Sequence, residues 1–94
     1  MFANQFDRKH AMDRREIEEV VLRVIEQELA IPRQRIRLDD RFVADLKVDS
    51  DDLSFLLVPA VKRELSVDPP MDAWQTVFTV RDVVDLVIRL KSLE

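Results

Sequence analysis

At 94 residues the chain has room for one small core, and its 47% hydrophobic and 36% charged content fits a soluble, helix-rich globule, with no apolar run near the ~20 residues that crossing a bilayer requires. It contains no cysteine and no glycine, and its one histidine, His10, sits in a charged N-terminal stretch; disulfides, thiolate metal sites, phosphate-cradling glycine loops and a Ser-His triad are therefore excluded or unsupported, and no metal site is expected. The net charge of −4 is uneven, because Asp39 to Asp52 holds six aspartates against Arg41 and Lys47, a balance that favours basic partner surfaces over nucleic acid, although a solvated acidic loop would look the same.

Met1 to Met12 shows no sustained apolar period and reads as a flexible N-terminal extension, with the folded domain running from 13 to 94. The extension lacks the apolar core of a signal peptide, so a cytoplasmic location is expected. Asp13-Arg14-Arg15-Glu16 has capping-box spacing, and Ile17, Val20, Val21, Val24, Ile25 and Leu29 recur at helical intervals. This predicts a first helix ending near Ala30, since Pro32 disfavours helical backbone at Ile31.

From Pro32 to Val48 isolated apolar residues are scattered among arginines and aspartates, the pattern of a long pinned loop with Phe42 and Leu46 as its anchors. The alternation of Arg33, Arg35 and Arg37 would permit a short extended piece. A second helix follows, with Leu53, Leu56, Leu57, Ala60, Val61 and Leu65 as its apolar stripe. Pro59 interrupts it: the ring removes an amide bond and crowds the carbonyl of Phe55, which predicts a kink near Phe55 to Pro59 rather than a break, because the stripe continues in phase.

Val67-Asp68-Pro69-Pro70 ends that helix, and Met71 to Val77 can supply only a short helical segment containing Trp74, which with Phe78 reads as core or lid. Thr79 then caps a last helix, with Asp82 at the capping-box position and Val80, Val83, Val84, Val87 and Leu90 facing inward. The fold class expected is all-α: a small four-helix bundle of three main helices and one short one. With no glycine, every turn is expected to use asparagine, aspartate or right-handed backbone.

The richest segment for function is Asp45-Leu46-Lys47-Val48-Asp49-Ser50-Asp51-Asp52-Leu53, where an acidic loop passes into the second helix. Asp49 or Ser50 can cap that helix, and Asp51 and Asp52 suit its dipole. The run Phe42 to Ser50 resembles the F-x-x-D-L-G-x-D-S motif of acyl carrier proteins, and Thr79-Val80-Arg81-Asp82-Val83-Val84 resembles the run that opens that family's last helix. The separation of 29 residues between Ser50 and Thr79 also fits.

The resemblance spans roughly Ile17 to Leu90 and implies that Ser50 is the attachment point of phosphopantetheine, delivered from coenzyme A by a phosphopantetheinyl transferase. It further implies that Asp49, Asp51 and Asp52 meet basic docking surfaces of acyl-transferring enzymes, that Leu53, Leu57, Val61 and Trp74 form an acyl pocket or core, and that the chain is a monomeric carrier of fatty acid, lipid or polyketide synthesis, not an enzyme. Ser54 is the neighbouring competitor for modification, without a preceding aspartate. Lys47 stands where the family usually has glycine, Asp51 where leucine is usual, Ser54 and Phe55 where valine and glutamate are common, and Leu65 comes one residue late. Alternatives are an unmodified carrier-like bundle acting as an acidic interaction module, and a peptidyl carrier of nonribosomal synthesis.

Overall fold

The computed structural model describes residues 13–92; the expected extension over residues 1–12, with His10, lies outside the described residues. Helix α1 spans Arg14–Leu29. Its start follows directly from the sequence: the Asp13 carboxylate accepts the Glu16 amide at 2.9 Å, and the Glu16 carboxylate accepts the Asp13 amide at 3.1 Å. Two donors that the first turn cannot pair internally are thus satisfied. The helix stops at Ala30, which turns left-handed (φ 56°) two residues before Pro32.

The second helix is made of three pieces, α2 (Ser50–Asp52), a π turn over Leu53–Leu57, and α3 (Val58–Leu65). Right-handed dihedrals at both junctions, Leu53 and Val58, make them one continuous rod. The predicted kink takes the form of this π turn: the Val58 amide reaches back five residues to the Leu53 carbonyl, which rearranges the carbonyls ahead of Pro59. A π turn also absorbs one extra residue, which accounts for Leu65 standing one place later than the family pattern. Ala60, Val61 and Leu65 return to the interior beyond it, whereas Leu56, expected inward, is 39% exposed.

A 3-10 helix over Met71–Thr76 is the expected short helix, and α4 covers Val80–Ser92. Its N-terminus is capped as expected, with the Asp82 amide on Thr79 Oγ1 at 3.1 Å and Asp82 Oδ2 accepting the Thr79 and Phe78 amides at 3.0 and 2.9 Å. Helix α1 packs against α4 and α3. Val21, Val24 and Ile25 meet Val61, Leu65, Val83 and Val87 in a core that, among the described residues, holds no polar or charged side chain.

The long loop is pinned by backbone as much as by side chains. Phe42 is fully buried and Leu46 partly so, but Val48 and Ile36 are buried as well. The Phe42 amide donates to the Phe78 carbonyl (2.9 Å), and the Val80 and Arg81 amides donate to Asp40 and Leu38 (3.0 and 2.8 Å), so the loop lies against the entrance of α4. An ion pair between Arg81 and Asp39 at 2.9 Å reinforces the seam. The Arg33, Arg35 and Arg37 alternation does not produce an extended piece: Arg33–Arg35 form a 3-10 turn, its amides closing on Pro32 and Arg33 carbonyls.

The expectation about turns is overturned. Ala30, Lys47 and Ser66 all take left-handed backbone, with φ of 56°, 60° and 55°. Each stands where a helix or loop reverses: the buried Val48 follows Lys47, the buried Val67 follows Ser66, and Ala30 lies between the partly buried Leu29 and Ile31. Burial of the flanking residue holds the less favourable dihedral in place.

Candidate functional site

Ser50 is the first residue of α2 and is exposed. Its backbone is presented by Asp49, an extended residue (φ −70°, ψ 147°) whose carbonyl accepts the Leu53 amide at 3.1 Å. Asp49 occupies the cap position without a side-chain capping bond, contrary to the sequence expectation, because its exposed carboxylate stays in solvent. Asp51 and Asp52 lie in the first turn and are exposed. Among the described residues none of these three carboxylates joins an ion pair, so the serine is ringed by uncompensated negative charge.

The turn leading to the serine is locally over-determined. Asp45 accepts the Arg41 amide at 2.8 Å, and its pKa is held below the usual carboxylate value chiefly by that bond. The Val48 amide donates to the Phe42 carbonyl at 2.8 Å, which closes the loop around the buried Phe42 ring. The left-handed Lys47 sits between these two anchors and reverses the chain so that Asp49 and Ser50 emerge at the surface.

Beside Ser50 opens a cavity of about 300 Å³, at the small end of ligand pockets. Ser50 itself lies on its edge, and Leu53, Leu57, Val58, Trp74 and Val77 give it an apolar wall. Val43 and Phe78, 58% and 64% exposed, line it as well and also border a second, smaller hollow. The buried nitrogen Nε1 of Trp74 has no hydrogen-bond partner.

No protein-family model matches the chain. It is similar to the acyl carrier protein of Rickettsia canadensis (strain McKiel), 33% identical over 76 residues that make up 81% of this chain and 87% of the relative. It is also similar to the acyl carrier protein of Nitratidesulfovibrio vulgaris (strain DP4), 32% identical over 76% of this chain and 92% of the relative, and to that of Tropheryma whipplei (strain Twist), 28% identical over 87% and 99%. The chain belongs to the acyl carrier protein family.

For an acyl carrier protein the departures now have physical explanations. The position where the family usually has glycine is left-handed in this chain, which accepts the conformation with Lys47. Phe55, where glutamate is common, is 76% exposed, so the π turn turns an aromatic face outward one turn beyond the serine.

Of the pocket candidates, Leu53, Leu57 and Trp74 line the cavity, while Val61 is fully buried in the central core and does not. Phe78 sits at the rim rather than in the core. Reading residues alone missed Val43, Val58 and Val77 as lining residues: they stand singly in loops or beside Pro59, outside any helical stripe. Ser54 shares the cavity wall with Ser50. It follows Leu53 within the π turn, where a modifying active site would meet a continuous helical face rather than a helix start.

Proposed function

We propose that this chain holds acyl groups as thioesters on a phosphopantetheine arm attached to Ser50 and presents them to partner enzymes. The observation that carries the reading is the placement of Ser50: an exposed hydroxyl at a helix start, on the edge of an apolar cavity, in a chain of this family. Those surroundings fit the group, since the hydroxyl is reachable from solvent and the neighbouring hollow can shelter a hydrocarbon chain. When attached, the arm supplies the thiol that the cysteine-free chain lacks.

In loading, Ser50 Oγ forms a bond to the β-phosphorus of coenzyme A. The anhydride bond breaks, adenosine bisphosphate leaves with its electron pair, and the hydroxyl proton passes to a base of the phosphopantetheinyl transferase. The carrier's own residues do two things. The rigid turn anchored by Phe42 and Asp45 fixes where the hydroxyl stands, and Asp49, Asp51 and Asp52 offer charge to basic docking surfaces on the transferase and on later acyl-transferring enzymes. Such charge pairs raise encounter rates more than final affinity, which suits a shuttle that must release its partners.

Intact-mass measurement after incubation with coenzyme A and a promiscuous transferase tests this. The expected gain is about 340 Da, the formula mass of the arm, and it disappears in Ser50→Ala while persisting in Ser54→Ala. A chain that gains no mass with any transferase is an acidic interaction module instead.

A further inference from the structure

The outer side of the second helix carries an aromatic ring that the bundle does not use. Asp51, Phe55 and Pro59 recur at four-residue steps along the rod, and all three are exposed, Phe55 by 76%. They therefore stand one above another, a turn apart. A phenyl ring this open to water adds little to the core. The backbone beneath it is short of donors. Val58 sends its amide to the Leu53 carbonyl, five residues back, instead of to Ser54. Pro59 has no amide, so it can serve neither Ser54, five residues back, nor Phe55, four back. The Ser54 and Phe55 carbonyls are thus both denied the amide that an unbroken α-helix would supply, on a stretch where both residues are exposed. One turn earlier the Asp51 carboxylate joins no ion pair among the described residues.

These groups differ in kind but suit one visitor. A ring face attracts a cation, while carbonyls and a carboxylate accept hydrogen bonds from it. An ammonium is a compact, strongly hydrated charge that cannot lie flat on a ring and donate sideways at once. A guanidinium does both, because its plane stacks on the ring while the N–H groups at its edge point outward. We infer that the strip Asp51, Phe55 and Pro59 is an arginine-recognition site, at which the guanidinium of a partner protein stacks on the Phe55 ring and donates to the Asp51 carboxylate and to the Ser54 and Phe55 carbonyls. The partners are those of the carrier reading, on which this site rests; what is added is the group they present one turn beyond Ser50. A reason follows for phenylalanine at a position where the family commonly has glutamate: a carboxylate pairs with lysine and arginine alike, whereas a ring selects the flat cation.

The full chain is titrated with N-acetylarginine amide or N-acetyllysine amide at constant ionic strength, and NMR follows the Phe55 ring protons and the Ser54 and Phe55 carbonyl carbons. The expected result is a saturable shift at all three positions with the arginine amide and weaker binding of the lysine amide. Phe55→Leu keeps an apolar side chain and removes the ring; it weakens arginine binding about 2- to 5-fold, the worth of an exposed cation–π contact, and levels the two cations. Pro59→Ala gives the backbone its amide back and abolishes the arginine-induced shift at the Phe55 carbonyl. The amide spectrum of each variant confirms that it folds. Equal binding of the two cations by the parent chain, arginine binding undiminished in Phe55→Leu, or no saturable shift would each overturn the site while leaving the carrier reading intact. The mass gain on loading decides that reading separately, because the titration needs no arm on Ser50.

Discussion

Lys47 offers a direct measure of what the missing glycine does to this fold. Left-handed backbone at a residue with a Cβ is disfavoured by about 1–2 kcal/mol, and Lys47 holds φ at 60°. Glycine would relieve that strain but lose more freedom on folding, by about 0.5–1 kcal/mol. The net gain should be roughly 0.5–1 kcal/mol. Substitution also removes a positive charge between Asp45 and Asp49, so the informative comparison is between Lys47→Gly and Lys47→Ala, which lose the charge equally and differ only in the Cβ. For a domain of this size the glycine variant should melt about 2–8 °C above the alanine variant. Differential scanning calorimetry at neutral pH reads the difference. An alanine variant as stable as the glycine variant would show that the strain is not stored at this residue, and the account of the turn would fail.

Three further outcomes follow from other parts of the molecule. Burial acts to raise the Asp82 pKa, but the amide bonds from Phe78 and Thr79 outweigh it and the net direction is down. A depressed carboxyl contributes stability above its unfolded value of 3.8 and loses it as pH falls through the lower folded value. Asp82→Ala should therefore cost about 1–2 kcal/mol at pH 7 by chemical denaturation, with the gap to the parent beginning to close only below pH 3.8 and narrowing as pH falls through the lower folded value; a penalty that persists in acid would refute the capping role. Phe42→Ala, at a site with no exposure, should cost about 3–5 kcal/mol in the same assay, and a loss under 1 kcal/mol would mean the loop is held by its backbone bonds alone. The double variant Asp51→Asn, Asp52→Asn should load more slowly in the transferase assay at low salt, through a raised KM, with the gap closing near 1 M salt, where the screening length falls to about 3 Å; a gap indifferent to salt would assign these residues to the helix dipole instead.

The two ends of the bundle were legible residue by residue. Capping boxes at Asp13–Glu16 and Thr79–Asp82 involve residues three apart, and the inward stripes of α1 and α4 are read from a 3.6-residue period, so local geometry decides them. The position of Ser50 at a helix start was legible for the same reason. What tertiary structure decided is how the chain meets constraints that are not local. Pro59 and the extra residue before Leu65 could have bent the second helix; the need to keep Leu57, Ala60, Val61 and Leu65 buried together makes a π turn the solution, and it leaves Phe55 and Leu56 outside. The cavity beside Ser50 likewise takes residues from the loop, the second helix and the Trp74 segment, which sequence spacing cannot relate. Left-handed backbone at Lys47 and Ser66 comes with a buried residue directly after it, Val48 and Val67, because packing energy summed over many residues outweighs the preference of any one of them.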